Sequence, residues 1–300
     1  MSIPSLPRIR LNKRTRAYIF VTPAIVVGLL LIVYPLLYSL RMSFFDYNLQ
    51  IGTKTFVGID NYVSALKDPK FRNALWNTFY ITIPALALQF TLGFALALMV
   101  NSVSRGRGMI TSLILCPMMI PSAAAALSFG MLYIQKYGAL NFILSALFRR
   151  SVDIAWLGSV KLVKFSIMIV DTWQMIPFVM LFLLAGLSII PEELYDAAKV
   201  DGASTFQSFR YVTLPLMRTY IIAILSVRLI DLLKIFDIPY MLTGGGPGLA
   251  SEPVSMRIIE TGLSFLRVGA GAAQSYILFF IEALIVGFFI ISTKREGGVT

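Results

Sequence analysis

The sequence predicts an all-α, polytopic membrane protein of about six transmembrane helices, interrupted by one polar segment at residues 191–215. Three observations carry that expectation. Hydrophobic residues make up 57% of the 300 residues and charged residues 14%. Six stretches are apolar over the thickness of a bilayer. Much of the positive charge lies outside those stretches.

A soluble domain has about 25% charged residues, so a chain this apolar needs lipid as the solvent for much of its surface. The formal net charge of +11 suits membrane topology. It does not point to nucleic acid, because no basic face with interleaved aromatics accompanies it. The single cysteine, Cys116, cannot form an internal disulfide. Histidine is absent, which removes Ser-His dyads, histidine metal ligands and histidine proton relays. An intramembrane enzyme of the usual kind is thereby excluded.

The first 16 residues form a basic tail, with Arg8, Arg10, Lys13, Arg14 and Arg16 and no acidic residue. The tail is expected to stay in the cytoplasm. The apolar run after it is long enough to span and has no small-residue cleavage site, so it reads as an anchor and not a removable signal. A bilayer core about 30 Å thick needs roughly 20 apolar residues per helix. Spans are expected at 17–40, 78–100, 110–133, 163–190, 215–238 and 272–293, making 17–300 one transmembrane domain. Continuous runs of this length exclude a β-barrel, whose strands are short and alternating. Six spans return the C-terminus, with Lys294 and Arg295, to the cytoplasm, as well as the short loop with Arg105 and Arg107. Loops 41–77, 134–162 and 239–271 fall outside. Pro23, Pro35, Pro84, Pro117, Pro121 and Pro177 lie within or at the ends of these spans. They either break helices beside a cavity or are tolerated as membrane helices tolerate proline.

Segment 191–215 reads as two short helices around a corner. Pro191 suits a first helical turn, followed by Glu192 and Glu193 where the helix dipole favours negative charge. Leu194, Ala197 and Ala198 share a face. Gly202 suits the left-handed residue that ends a helix. Ser204 and Gln207 have capping-box spacing for the next helix. Phe206, Phe209 and Val212 line one side of that second helix. The segment either seats in a partner, with Phe206 and Phe209 filling its pocket, or lies on the membrane.

The same residues resemble the EAA loop of binding-protein-dependent ABC importer permeases. That pattern is Glu-Ala-Ala, three residues, Gly, nine residues, Ile, one residue, Leu-Pro. Asp196, Ala197, Ala198, Gly202, Val212, Leu214 and Pro215 fall at those spacings, with Asp196 for Glu and Val212 for Ile. The stretch 56–62, Asn77 with Thr78, and the run 242–248 are similar to the subfamily importing sugars, polyols and glycerol phosphate. The resemblance implies that the loop is a coupling helix docking on an ATP-binding subunit dimer. It implies a second permease subunit, an extracytoplasmic solute-binding protein, and ATP with magnesium on the partner ATPase. No cofactor is expected in this chain. Gly244, Gly245, Gly246, Pro247 and Gly248 lack the Lys-Ser/Thr of a phosphate-binding loop and read as a turn.

Charges inside spans are functional candidates. Asp171, Trp173 and Gln174 combine a carboxylate, an amide and a ring as a sugar site would; alternatively Asp171 pairs with a basic residue of another helix. Arg228, Asp231, Lys234 and Asp237 recur every three residues with alternating sign. They form either an ion ladder along one helix or the wall of a solute path. Gln89 and Glu282 are lesser candidates. The substrate path is therefore assigned to Asp171, Trp173, Gln174 and Asp231. An ion-coupled secondary transporter would also carry intramembrane carboxylates, but would not need the docking corner.

Overall fold

The computed structural model describes residues 12–294, so Arg8, Arg10 and Arg295 lie outside the described residues. Helix α1 (Lys13–Gly28) passes through a π-helical turn at Leu29–Val33 into α2 (Tyr34–Ser43). The only strands among the described residues follow, as a hairpin of β1 (Phe45–Asn48) and β2 (Thr53–Phe56). Short α3 (Asp60–Lys67) leads into α4 (Pro69–Asn101), whose first turn is capped by the Asp68 carboxylate accepting from the Lys70 amide at 2.9 Å. This capped start lies nine residues before the expected beginning of the second span.

The third apolar stretch is not one helix. It divides into α5 (Arg107–Leu115), a 3-10 turn at Cys116–Met119 and α6 (Ser122–Leu132), bent by 87°. Pro117 and Pro121 stand at the break, where each removes an amide that a continuous helix would use. Helix α7 (Ala139–Phe148) precedes α8 (Val163–Leu187). The polar segment supplies α9 (Glu192–Val200) and α10 (Thr205–Ser208), which continues through a π turn at Phe209–Thr213 into α11 (Leu214–Leu233). Helices α12 (Asp237–Thr243), α13 (Val254–Ile259) and α14 (Val268–Lys294) complete the chain.

The π turns at Leu29–Val33 and Phe209–Thr213 each end two residues before a proline, Pro35 or Pro215. Proline lacks an N–H and its ring crowds the preceding turn. A local widening absorbs both faults and lets the helix run on.

Among the described residues four helices are long and apolar enough to cross a membrane, or five spans if the bent pair counts as one. Helix α11 has 20 residues, enough for a bilayer core, yet it carries Arg218, Arg228 and Asp231. It ends at Leu233, earlier than the expected 238, because Lys234 leaves helical geometry at φ −100°, ψ 10°.

Helix α8 is the axis of the fold. Of its most apolar window 61% is buried, against 0% for the first span, which meets lipid or another chain. Helix α4 packs most extensively against α8. Lipid offers no hydrophobic drive between helices, so close backbone approach must supply the attraction. Gly93 on α4 provides it. A β-carbon there would lie 2.8 Å from Val179 Cγ1 and 3.2 Å from the Met180 amide nitrogen. One cluster gathers Ile81, Ala85, Ala126, Ile167 and Leu232, and another gathers Ala97, Met180, Leu183, Met217 and Ile224.

Asn77 and Thr78 tie α4 to the glycine-rich loop. The Asn77 amide donates to Leu249 O and Glu252 O at 2.8 and 3.0 Å, and its oxygen accepts from Lys164 Nζ at 2.8 Å. Thr78 Oγ1 accepts from the Val254 amide at 2.8 Å. The run 244–248 is a turn, with positive φ at Gly244, Gly245 and Gly248.

Gly93→Ala should destabilise the fold by about 1–3 kcal/mol through overpacking. Gly28→Ala, with nothing within 4 Å of its β-carbon, should not. Thermal unfolding of the detergent-purified protein compares the two.

Candidate functional site

Two features stand out, one exposed and one buried. The exposed feature is the corner between α9 and α10. Helix α9 starts after Pro191, which takes the extended cap position at ψ 137° and not the first helical turn. The helix closes with paired terminal bonds: Gly202 N–H donates to Lys199 O at 3.0 Å and Ala203 N–H to Ala198 O at 2.9 Å. That closure needs a left-handed residue, and Gly202 sits at φ +75°. Ser204 then opens α10 with a full capping box. Its hydroxyl accepts from the Gln207 amide at 3.3 Å, and the Gln207 side chain accepts from the Ser204 amide at 2.7 Å.

Asp196 pairs with Lys199 at 2.9 Å on the open face of α9. The hydrogen bond that Lys199 donates to Asp196 raises the Lys199 pKa above its ordinary value. Ala197 is exposed and Ala198 half-buried. Phe206 is 68% exposed. Phe209 differs from the expectation that it reaches a partner. It faces inward and its ring lies 5.6 Å from that of Phe94. Phe209 thus anchors the corner and Phe206 is presented. Leu214 is half-buried and Pro215 exposed where α11 begins. Tyr195 and Thr213 hydroxyls meet at 3.0 Å, holding α9 to that start. Arg107 donates to Ser188 Oγ at 3.1 Å, placing the loop before α5 at the same end of the molecule.

The buried feature joins α4, α8 and α11. Arg228 Nε donates to Gln89 Oε1 at 3.0 Å, and its terminal nitrogens lie 3.2 Å from Asp171 and from Asp231. Gln89 closes the ring by donating to Asp171 at 2.5 Å. The Arg228 side chain is 4% exposed and that of Asp171 8%, whereas that of Asp231 is 55% exposed. Beyond it Lys234 pairs with Glu282 on α14 at 3.2 Å. The expected ladder along one helix therefore holds for one rung only. After Leu233 the chain leaves α11, so Lys234 turns to α14 and Asp237 starts α12.

A cavity of about 500 Å³ opens beside this knot, lined by Asp171, Arg228, Asp231, Lys234 and Asp237, with Ser122, Phe178 and Phe236. Of the predicted path residues it receives Asp171 and Asp231. Gln174 is buried and donates to Ile120 O at 2.5 Å, at the break between α5 and α6. Trp173 packs against Phe129 with centroids 5.2 Å apart. Neither lines the cavity. Gln89 and Arg228, secondary on sequence, are central. Their signal was a glutamine and an arginine within apolar runs. Lys164 was missed; it is a lone cation at the start of α8.

A polytopic helical body with an exposed helical corner at one end and a charged cavity has the build of a transport permease. Residues 89–294 match the family described as "Binding-protein-dependent transport system inner membrane component", and the chain belongs to that family. It is accordingly a multi-pass inner-membrane protein. The matched stretch holds both the knot and the corner. The chain is 34% identical to the trehalose/maltose transport system permease protein MalF of Thermococcus litoralis, over 96% of this chain and 95% of that one. It is also 34% identical to the sulfoquinovosyl glycerol transport system permease protein SmoG of Agrobacterium fabrum, over 95% and 92%. In fold it is similar to a chain of a bacterial ABC transporter involved in the import of the acidic polysaccharide alginate, with TM-score 0.82, 24% identity and 95% and 97% coverage.

Arg228→Leu leaves Asp171 buried without its cation and should cost about 3–5 kcal/mol. Asp171→Asn combined with Arg228→Gln should recover most of that loss. Asp231→Asn, at the half-exposed end, should cost under about 1 kcal/mol. Chemical unfolding in mild detergent ranks the three.

Proposed function

We propose that this chain is the permease subunit of an ABC importer that moves a sugar or related hydroxylated solute inward by alternating access, powered by ATP hydrolysed on a separate subunit. The observation that carries the proposal is continuity. The corner at Gly202 and Ser204 leads without interruption through α10 and the π turn into α11, whose far end holds Arg228 and Asp231 at the cavity. This helix measures roughly 40 Å at 1.5 Å per residue. Force applied at Phe206 therefore reaches the cavity wall along one stiff element.

The proposed cycle follows from that lever. A solute-binding protein delivers solute outside. Closure of an ATP-binding subunit dimer, with ATP and magnesium bound there, moves the corner through contacts to Asp196, Ala197, Ala198 and Phe206. Gly202, Phe209, Leu214 and Pro215 keep the corner rigid and joined to α11. A second permease subunit completes the path. Both termini and the corner lie in the cytoplasm in this reading. This chain itself binds no nucleotide. The carbohydrate class draws support from the relatives, whose names include trehalose/maltose and sulfoquinovosyl glycerol, and from a cavity that joins carboxylates to aromatic rings.

The test is uptake into proteoliposomes holding both permeases, the ATPase and the binding protein. Uptake should require ATP and all components. Phe206→Ala should cut transport by about tenfold or more, as loss of an interface anchor does, while leaving thermal stability nearly unchanged. Gly202→Val puts a β-branched residue in a left-handed position at a cost of roughly 1–2 kcal/mol and should release the ATPase on co-purification. Uptake by this chain alone, or uptake following an ion gradient and ignoring ATP, would overturn the proposal.

A further inference from the structure

We infer that the cavity beside Arg228 admits uncharged, hydroxyl-rich solutes and turns anionic ones away. The inference rests on the proposed reading of this cavity as the solute path and adds a rule for what passes. It starts from which charges are already committed. Two cations belong to the wall, Arg228 and Lys234. Arg228 donates to Gln89, Asp171 and Asp231 at once and is almost wholly buried. Lys234 is paired with Glu282. No cation of the wall is left unpaired to receive a carboxylate, sulfonate or phosphate.

The carboxylates outnumber these cations. Asp171, Asp231 and Asp237 line the cavity, and Glu282 stands behind Lys234. Asp237 makes no ion pair among the described residues, and Asp231 is half-exposed. The rest of the wall brings no charge: the break contributes Met118 and Ser122, and α8 adds Met175 and Phe178 besides Asp171. An entering anion meets net negative potential in a partly desolvated space, where charges act more strongly than in water. A sugar hydroxyl meets acceptors. It donates to the open oxygens of Asp231 and Asp237, while Phe178 and Phe236 offer apolar faces for the ring. Phe236 is held in place by stacking on Tyr240 at 5.1 Å.

The experiment measures the potential directly and needs no knowledge of the solute. Ser122→Cys is introduced into a Cys116→Ser background, and the assembled importer is placed in nanodiscs, open to reagent from both sides. The introduced thiol is reacted with a cationic and an anionic methanethiosulfonate of similar size. Each rate is divided by that for free 2-mercaptoethanol. The normalised cationic rate should exceed the anionic one by at least about tenfold. Asp231→Asn with Asp237→Asn should bring the ratio close to one. A ratio of one or less in the parent overturns the inference, as does an introduced thiol that reacts with neither reagent.

In parallel, ATP-driven uptake is measured with trehalose and maltose as neutral probes and maltobionate as the anionic probe. An intact ratio without uptake of any sugar sinks the transport reading and spares the charge rule. Uptake of maltobionate as fast as maltose sinks the charge rule and spares the transport reading.

Discussion

The fold depends on keeping one buried guanidinium neutralised. Arg228 sits inside a helical bundle at 4% side-chain exposure, where an unpaired charge would be expelled. Its partners come from three helices: Gln89 from α4, Asp171 from α8 and Asp231 from α11 itself. Apolar helices in lipid slide and rotate at little cost, because one greasy face resembles another. A guanidinium with fixed donor directions does not permit that. Moving any of the three helices by one residue swings a partner away by about 100°. The knot thus sets the register of the bundle core, and the close approach at Gly93 follows from that register.

The same constraint links the buried and exposed features. Because Arg228 is tied to α4 and α8 near one end of α11, that helix cannot slide or rotate without breaking the knot. Pro215 and the π turn before it look at first like a weak point between corner and lever. The structure argues otherwise: Phe209 is locked against Phe94, Thr213 is buried, and Tyr195 ties α9 across the turn. The segment bends the path of the chain without loosening it. Asp231 and Lys234, half-exposed, stand at the cavity end of this path.

What the sequence made legible was whatever depends on local rules. Gly202, Ser204 and Gln207 announced the corner because left-handed glycines and capping boxes are set by neighbours in the chain. The long spans were legible from hydropathy, since the bilayer imposes one length on all of them. The misreadings share a cause in tertiary structure. Phe206 and Phe209 share helical spacing, yet Phe94 on α4 takes up the Phe209 ring and leaves Phe206 outside. Lys234 and Asp237 were placed on one stripe, and the helix ended between them. Gln89 ranked low because a lone glutamine in an apolar run has no visible partner until α8 and α11 are folded beside it. Trp173 follows Asp171 by two residues and so lies about 200° around the helix from it, against Phe129, while Gln174, about 60° off, is taken up by the Ile120 carbonyl. Only Asp171 reaches the cavity.

Gln174 also explains why the third span is allowed to break. Non-helical backbone at membrane depth is tolerated only where protein or a wet cavity satisfies its polar groups. At the 87° bend, Pro117 and Pro121 remove two amides and free carbonyls on the preceding turn. The Gln174 side chain reaches across from α8 to donate to Ile120 O, which settles one of them. Met118 and Ser122, on either side of that carbonyl, line the cavity. The break is therefore a wall of the cavity, and the residue that seals it is the neighbour of the one that lines it. A continuous helix would have presented the cavity with closed backbone and side chains alone. The bent one brings the Ser122 hydroxyl and the turn itself to the place where α8 and α11 have gathered their charges. The prolines at the bend, which as features of a simple lipid anchor would be a cost, become part of the geometry of the cavity wall.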